Sequence, residues 1–180
     1  RQAAVLKHIV NRGQGAALAT GNAYALKKNA DIIVHFDADG QFEPEDIKNM
    51  VALLIAGRAD IVFGSRLLSG QNRLPPVKKY FILPAAKIFN RLIFRINPGD
   101  PQSGFRAMNR RAARMITIEQ DGSAHCSEIL IKAHRLPLKV AEVPVAVHYR
   151  DFGQGLFKGK GRGSGGLRII KDLLLAKFHN

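Results

Sequence analysis

Short apolar runs alternate with amphipathic helical patterns over the first 65 residues. Apolar runs at residues 5–10, 32–36 and 61–63 predict three strands, and β-branched residues make the second and third typical of buried strands. An alanine-rich stretch over residues 16–28 predicts the first helix. Strand, helix, strand, helix, strand with glycine-containing turns indicates an α/β fold with a mostly parallel sheet flanked by helices.

The second predicted helix has clear boundary signals. Pro44 suits its first turn, where acidic residues complement the helix dipole, and Gly57 suits its C-terminal cap. Its apolar residues recur at the spacing of one helical face, namely Ile47, Met50, Val51 and Leu54. This face is therefore predicted to pack on the sheet.

Five further elements are predicted in the rest of the chain. They are an amphipathic helix over 80–96, an extended segment over 102–108, a helix over 128–135, a strand over 139–149 and a final amphipathic helix over 167–178. Residues 153–166 hold seven of the 17 glycines, interleaved with Lys and Arg, which is typical of a flexible basic loop. We predict one domain over residues 1–150, to which residues 151–180 add the loop and the last helix.

Composition narrows the class of protein. With 46% hydrophobic residues, the 180-residue chain can bury a core, and its single cysteine excludes a disulfide framework or a multi-cysteine zinc site. The sequence has no apolar run of roughly 18 residues, the length that a membrane-spanning helix requires. The net charge of +14 predicts an anionic partner, which is a nucleic acid, anionic lipid headgroups or a phosphorylated substrate.

Two carboxylates, Asp37 and Asp39, follow the predicted buried strand at 32–36. Open α/β sheets bind ligands at the carboxyl ends of their strands, and residues two apart in an extended segment face the same way. Asp37 and Asp39 can therefore share one hard cation, Mg²⁺ or Mn²⁺. The alternative is that they cap the turn before the next helix. The positions of Gly40 and Lys48 exclude an EF-hand loop.

Six short segments together resemble one known family. They are NRGQGAAL at 11–18, DADGQ at 37–41, GSR at 64–66, SGFR at 103–106, HCSEIL at 125–130 and EVPV at 142–145. In their order and spacing the chain resembles glycosyltransferase family 2, in the branch similar to dolichol-phosphate mannosyltransferase and bacterial polyprenyl-phosphate glycosyltransferases. The resemblance covers almost all of the chain.

The resemblance implies a GT-A fold and inverting transfer of a sugar from a nucleotide-sugar donor. It assigns the cation to Asp37, Asp39 and Gln41, and contacts with the donor also to Ala38, Gly13 and Gly15. A divalent cation suits this reaction because the nucleoside diphosphate leaves with developing negative charge. For the two glycines, tight packing of a turn is an equal alternative to a nucleotide contact.

The resemblance also implies an acceptor side rich in cations. The residues assigned to the acceptor or its phosphate are Arg66, Ser103, Arg106, Arg150 and Lys158. Arginine suits bidentate recognition of phosphate. The alternatives are a surface salt bridge for Arg66, a solvated strand position for Arg106 and a plain basic linker around Lys158.

His125 and Glu128 lie three residues apart at a predicted helix start, so both can face one side. With Asp39 they are the catalytic candidates, because an acceptor hydroxyl must lose a proton. A phosphate acceptor is already anionic and needs no base. The alternatives are a helix-terminal charge for Glu128 and a structural histidine for His125.

The implied acceptor is a polyprenyl phosphate at the cytoplasmic membrane face. The amphipathic segments 80–96 and 167–178 fit peripheral contact with anionic lipid, although core-packed surface helices show the same pattern. A glycan or protein hydroxyl is the alternative acceptor. A nucleic-acid-binding module is disfavoured because only 7% of residues are aromatic and none is Trp. Complete family members begin with another strand–helix–strand unit, expected to be missing before Arg1, which leaves the donor base and sugar unassigned.

Overall fold

The computed structural model describes residues 3–66, 68, 103–122 and 124–148, and in this part of the chain helices alternate with strands. In chain order the elements are α1 (Gln14–Lys27), β1 (Ile32–His35), α2 (Asp46–Ile55), β2 (Ile61–Ser65), β3 (Arg106–Asn109), α3 (Arg110–Met115), α4 (His125–Arg135) and β4 (Val140–Pro144). The helices and strands predicted around residues 16–66 and 102–144 are confirmed, with shifted ends.

The four strands form one mixed sheet in the order β1-β3-β2-β4. Strands β1, β2 and β4 run in one direction, and β3 lies antiparallel between β1 and β2. Arg106 of β3 pairs with His35 on one side and Phe63 on the other. The predicted α/β class is confirmed, but strands β1 and β2 are not neighbours. Hydrophobic periodicity predicts a strand without fixing its direction or its partner.

The strand predicted at residues 5–10 is absent. Residues 3–8 have no regular structure, and Val5 and Ile9 are 89% and 102% exposed. None of the strands in the described part of the chain pairs with this segment. A strand needs a hydrogen-bonded neighbour, so an apolar run alone does not produce one.

Helix α2 has the boundaries that its sequence predicts. It begins two residues after Pro44, and Gly57 follows its cap with a φ of 65°. The amides of Gly57 and Arg58 bond to the carbonyls of Leu54 and Leu53, which is a Schellman ending. Glycine suits this position because a left-handed φ costs a Cβ-bearing residue energy.

The sheet separates two hydrophobic clusters. One contains Ile61, Phe63 and Met108 with residues of α3 and α4, and Leu26 of α1 packs against it. The other contains Val62, Phe105 and Ala107 with Met50 and Leu54 of α2. Adjacent residues of a strand face opposite sides of the sheet, so β2, which is buried throughout, contributes to both clusters. The interior strand β2 therefore positions the loops at its ends.

Several predictions fall on residues outside the described ranges. These are the helix at 80–96, the basic loop at 153–166 and the helix at 167–178. The division into residues 1–150 and 151–180 stays a prediction for the same reason. Among the described residues, none of the helices has the length and hydrophobicity needed to cross a bilayer.

Candidate functional site

Three polar segments meet at one edge of the sheet. Because β1 and β2 run in the same direction, residues 37–41 and Arg66 both follow strand ends at this edge. The antiparallel strand β3 begins there, so Ser103 and Gly104 come to the same edge from the opposite direction. The sheet thereby gathers three of the sequence motifs, although residues 37–41 and 103–106 are far apart along the chain.

Asp37 joins these segments. Its Oδ1 accepts a hydrogen bond from Nε2 of Gln14, at 2.8 Å, at the first residue of α1. Its Oδ2 lies against Gly104, where an added Cβ would be only 2.8 Å away. Gln14 was not among the residues that the sequence singled out. Its position at the predicted helix start, between two glycines, was the available signal.

Asp39 stabilises the turn after β1. Its Oδ1 accepts a hydrogen bond from the Gln41 amide at 3.0 Å, and Gly40 has a φ of 75°. Helix α2 begins later, with Glu45 at its N-cap position and no side-chain capping bond. The bond from the Gln41 amide fits the alternative that Asp39 caps the turn before this helix, and its role in binding a cation stays a prediction. Asp39 and Ala38 are exposed, and Asp37 is half-buried.

The carboxylates of Asp37 and Asp39 fit a divalent cation by their chemistry. Both supply hard oxygen ligands, and each has a second oxygen besides the one that accepts the bond described. No group of three or more His, Cys, Asp or Glu suited to a metal occurs in the described part of the chain. A cation here would therefore draw its remaining ligands from amides, water or substrate.

The two glycines at the start of α1, Gly13 at its N-cap and Gly15 in its first turn, pack tightly against the loop that precedes α4. The Gly13 amide bonds to Oδ1 of Asn11 at 2.9 Å, and the Gly15 amide bonds to the Asp121 carbonyl at 2.8 Å. A Cβ on Gly15 would overlap the carbonyl of Gln120. These contacts fit the tight-packing alternative, and a contact of Gly13 or Gly15 with the donor stays a prediction.

Arg106 is fully buried at the start of β3. Its Nε donates to the Gly104 carbonyl at 3.2 Å, and its Nη2 lies 3.4 Å from Sγ of Cys126. The alternative of a solvated strand residue is therefore wrong. Ser103 is also buried and donates from Oγ to the Phe105 carbonyl at 3.3 Å. Through Gly104, this segment connects Arg106 to the Asp37 carboxylate.

His35 is a buried polar residue that no sequence motif marks. One of its ring nitrogens, Nε2, lies 2.8 Å from Oδ1 of Asn22. Burial, with the charges of Arg106 and His125, lowers the pKa of His35 to about 3, so its ring is neutral at pH 7. His35 lies within the apolar run at residues 32–36 that predicts β1, so the pattern gives no sign of its polar role.

The Glu128 side chain hydrogen-bonds to the segment that precedes α4. Its carboxylate accepts hydrogen bonds from the amides of Glu119 and Gln120, both at 3.0 Å, and from Nζ of Lys132 at 2.8 Å. These contacts match the structural alternative, which places a charge in the first turn of the helix. Its role as a base stays a prediction.

His125, in the same helical turn, is 1% exposed. Its Nδ1 lies 2.8 Å from the Gly122 carbonyl and its Nε2 lies 3.4 Å from Sγ of Cys126. Both ring nitrogens are therefore engaged within the protein, and its role as a base also stays a prediction. The remaining candidates, Arg150 and Lys158, lie outside the described residues.

Comparison with known proteins identifies the family. Residues 1–117 match Glycosyl transferase family 2. A UDP-N-acetylglucosamine–dolichyl-phosphate N-acetylglucosaminyltransferase of Methanococcus voltae is 32% identical over 180 residues, which are 96% of this chain and 69% of that protein. An undecaprenyl-phosphate mannosyltransferase of Micrococcus luteus is 26% identical over 97% of this chain and 72% of its own length.

A solved structure confirms the predicted GT-A fold. It is glucosyl-3-phosphoglycerate synthase from Mycobacterium tuberculosis, determined with Mn²⁺, UDP-glucose and phosphoglyceric acid. The TM-score is 0.55 at 22% identity, over 77% of this chain and 48% of the synthase. The motifs, the mixed sheet and these matches agree, and the chain is a glycosyltransferase that belongs to glycosyltransferase family 2.

Proposed function

We propose that this protein transfers a sugar, with inversion at the anomeric carbon, from a nucleotide-sugar donor to a polyprenyl phosphate at the cytoplasmic face of a membrane. The observation that carries the proposal is the contact of Asp37 with both Gln14 and Gly104. It joins the carboxylate motif to the segment assigned to the acceptor. The relatives from Methanococcus voltae and Micrococcus luteus, whose names specify polyprenyl-phosphate acceptors, support this choice.

The donor side is built around residues 37–41. Asp37, Asp39 and Gln41 hold Mg²⁺ or Mn²⁺, which supplies positive charge to the leaving diphosphate when it is bound. Gln14 fixes the orientation of the Asp37 carboxylate, and the hydrogen bond from the Gln41 amide fixes that of Asp39. Such preorganised ligands favour the ion because little conformational entropy remains to be lost on binding.

The acceptor side consists of cationic side chains and the segment next to Asp37. Arg66, Ser103 and Arg106 recognise the phosphate of the acceptor, and Arg150 and Lys158 add positive charge from the C-terminal part. A phosphate oxygen is already anionic and attacks without a base. This fits the occupied Glu128 carboxylate, which two backbone amides and the ammonium group of Lys132 hold in place.

A peripheral position on the membrane fits the overall charge. The net charge of +14 attracts the chain to anionic headgroups, where its lipid acceptor resides. The segments 80–96 and 167–178 are the proposed contacts, because their sequences place apolar and basic residues on opposite helical faces.

The test is sugar transfer by the full chain to a short-chain polyprenyl phosphate, with a panel of nucleotide sugars and with or without Mn²⁺. We expect transfer with at least one donor, lost on chelation and reduced at least about 100-fold in Asp39→Asn. Asp31→Asn is the matched control, since it removes a carboxylate that is 92% exposed on its side chain and pairs with Arg110. Metal-independent transfer that Asp39→Asn leaves intact would contradict the donor side. Transfer to glycans but not to polyprenyl phosphate would contradict the acceptor.

A further inference from the structure

A thiol, an imidazole and a guanidinium meet at the first turn of α4. Sγ of Cys126 lies 3.4 Å from Nε2 of His125 and 3.4 Å from Nη2 of Arg106. His125 and Arg106 are 1% and 0% exposed, whereas Cys126 is partly exposed. The cysteine is therefore the member of this cluster that a small reagent can reach.

The hydrogen bonds of His125 prepare it to take the thiol proton. Its Nδ1 lies 2.8 Å from the Gly122 carbonyl, which can only accept, so Nδ1 carries a proton. In the neutral ring Nε2 is then the acceptor that faces Cys126. Transfer of the thiol proton to Nε2 produces a thiolate beside an imidazolium, an arrangement that activates cysteines.

The electrostatic surroundings favour the thiolate. Burial raises the pKa of the Cys126 thiol, but the hydrogen bond from His125 and the charge of Arg106 outweigh it and hold this pKa below its ordinary value. Burial lowers the pKa of His125, and its contacts with Cys126 and Gly122 reverse the direction. His35, across the strand pair from Arg106, is neutral and adds no charge.

Arg106 supplies a second, independent observation. Its Nη1 is buried and has no hydrogen-bond partner, while Nη2 of the same guanidinium contacts the sulfur. Among the described residues, none of the ion pairs joins Asp or Glu to Arg106. The two arms of a guanidinium fork can bind neighbouring atoms of one ligand. An oxygen bonded to Sγ is an acceptor that Nη1 can use.

We propose that Cys126 is a reactive thiolate that hydroperoxides oxidise to a sulfenic acid, whose oxygen accepts a hydrogen bond from Nη1 of Arg106. A lone pair of the thiolate attacks the terminal peroxide oxygen, so that an S–O bond forms as the O–O bond breaks. Sulfur loses two electrons and the peroxide gains them. The departing hydroxide or alkoxide takes the proton from Nε2 of His125. The oxidation goes beyond sugar transfer, with which this cluster shares Arg106.

Alkylation of the thiol tests the reactive thiolate directly. The sequence has one cysteine, so the rate of reaction with iodoacetamide reports on Cys126 alone. We expect the rate to reach half its maximum well below a pH of about 8.5, the ordinary thiol pKa. We expect His125→Gln to react several-fold more slowly at pH 7. His134→Gln, an exposed histidine on the same helix, should match the unmodified protein.

Trapping tests the oxidation. The protein is treated with hydrogen peroxide and then with dimedone, and mass spectrometry detects the adduct on Cys126. We expect the adduct in the unmodified protein, none in Cys126→Ser, and a shorter-lived sulfenic acid in Arg106→Lys, which keeps the charge without the fork. A midpoint at or above the ordinary thiol value, or no adduct, overturns the proposal. The alkylation midpoint and the dimedone adduct are both measured on the unmodified protein, so the test is valid even if a variant of a buried residue fails to fold.

Discussion

At the scale of single residues, the candidate site depends on a few contacts made by short side chains. The Asp37 carboxylate has one oxygen on Gln14 and the other against the bare Cα of Gly104. A side chain at position 104 would occupy the space that the carboxylate now uses. Gly104 is therefore required by close approach, which the family motif alone does not explain.

Replacing Gly104 by Ala tests this close approach. The new Cβ would lie 2.8 Å from Oδ2 of Asp37, so the carboxylate must move. We expect the Mn²⁺ concentration for half-maximal transfer to rise roughly 10-fold or more, as for other changes next to metal ligands. Gly21→Ala is the control, because its Cβ meets nothing within 4 Å, and it should leave this concentration unchanged. Equal metal dependence in both variants would contradict the role of Gly104.

Glu128→Gln separates a structural role from a catalytic one. The variant loses the charge that accepts two amide bonds and the Lys132 bond, so we expect about 1–3 kcal/mol less stability in urea unfolding. Turnover with polyprenyl phosphate should persist where the variant is folded. Loss of turnover in the folded variant would instead favour a hydroxyl acceptor and a base at Glu128.

At the scale of elements, Asp60 joins the strands at the end opposite to the candidate site. Its carboxylate accepts bonds from Nδ2 of Asn109 and the Lys139 amide, both at 2.8 Å, and pairs with Arg111 at 3.1 Å. These partners belong to β3, to the residue just before β4 and to α3. Burial raises the pKa of Asp60, but these bonds and charges outweigh it and hold the pKa below its ordinary value.

The lowered pKa of Asp60 predicts a pH-dependent effect. Stability from a carboxyl whose pKa is lowered on folding is fully present above its unfolded pKa of about 3.9 and is lost as pH falls through the folded value. We expect Asp60→Asn to cost about 1–3 kcal/mol at pH 7 and progressively less below pH of about 4. Denaturant unfolding at several pH values measures this. A cost independent of pH would contradict the electrostatic explanation, and Asp31→Asn serves as the exposed control.

At the scale of the whole molecule, the net charge is +14. In the part of the chain that the structure describes, none of the helices is able to span a membrane. We expect the protein to bind vesicles that contain anionic lipid at low salt and to dissociate as salt shortens the Debye length. Co-sedimentation measures the bound fraction, with neutral vesicles as the control. Failure to bind anionic vesicles at low salt would contradict the proposed peripheral position.

The sequence by itself determined the elements whose signals are local. The apolar runs of β1 and β2, the face of α2 and its glycine ending depend on neighbouring residues, and the structure has each of them. The motif at residues 37–41 could also be recognised from the sequence, since a strand followed by two carboxylates is a short local pattern. The exposed segment at residues 5–10 shows the limit, because apolar character does not provide a pairing partner.

Only the tertiary structure decided which distant segments meet. The insertion of β3 between β1 and β2, the bond from Gln14 to Asp37 and the contact of Arg106 with Cys126 all join residues remote in sequence. The physical reason is that such contacts depend on strand order and on how helices pack against the sheet. Residue spacing along the chain specifies neither, so these partners became visible only in three dimensions.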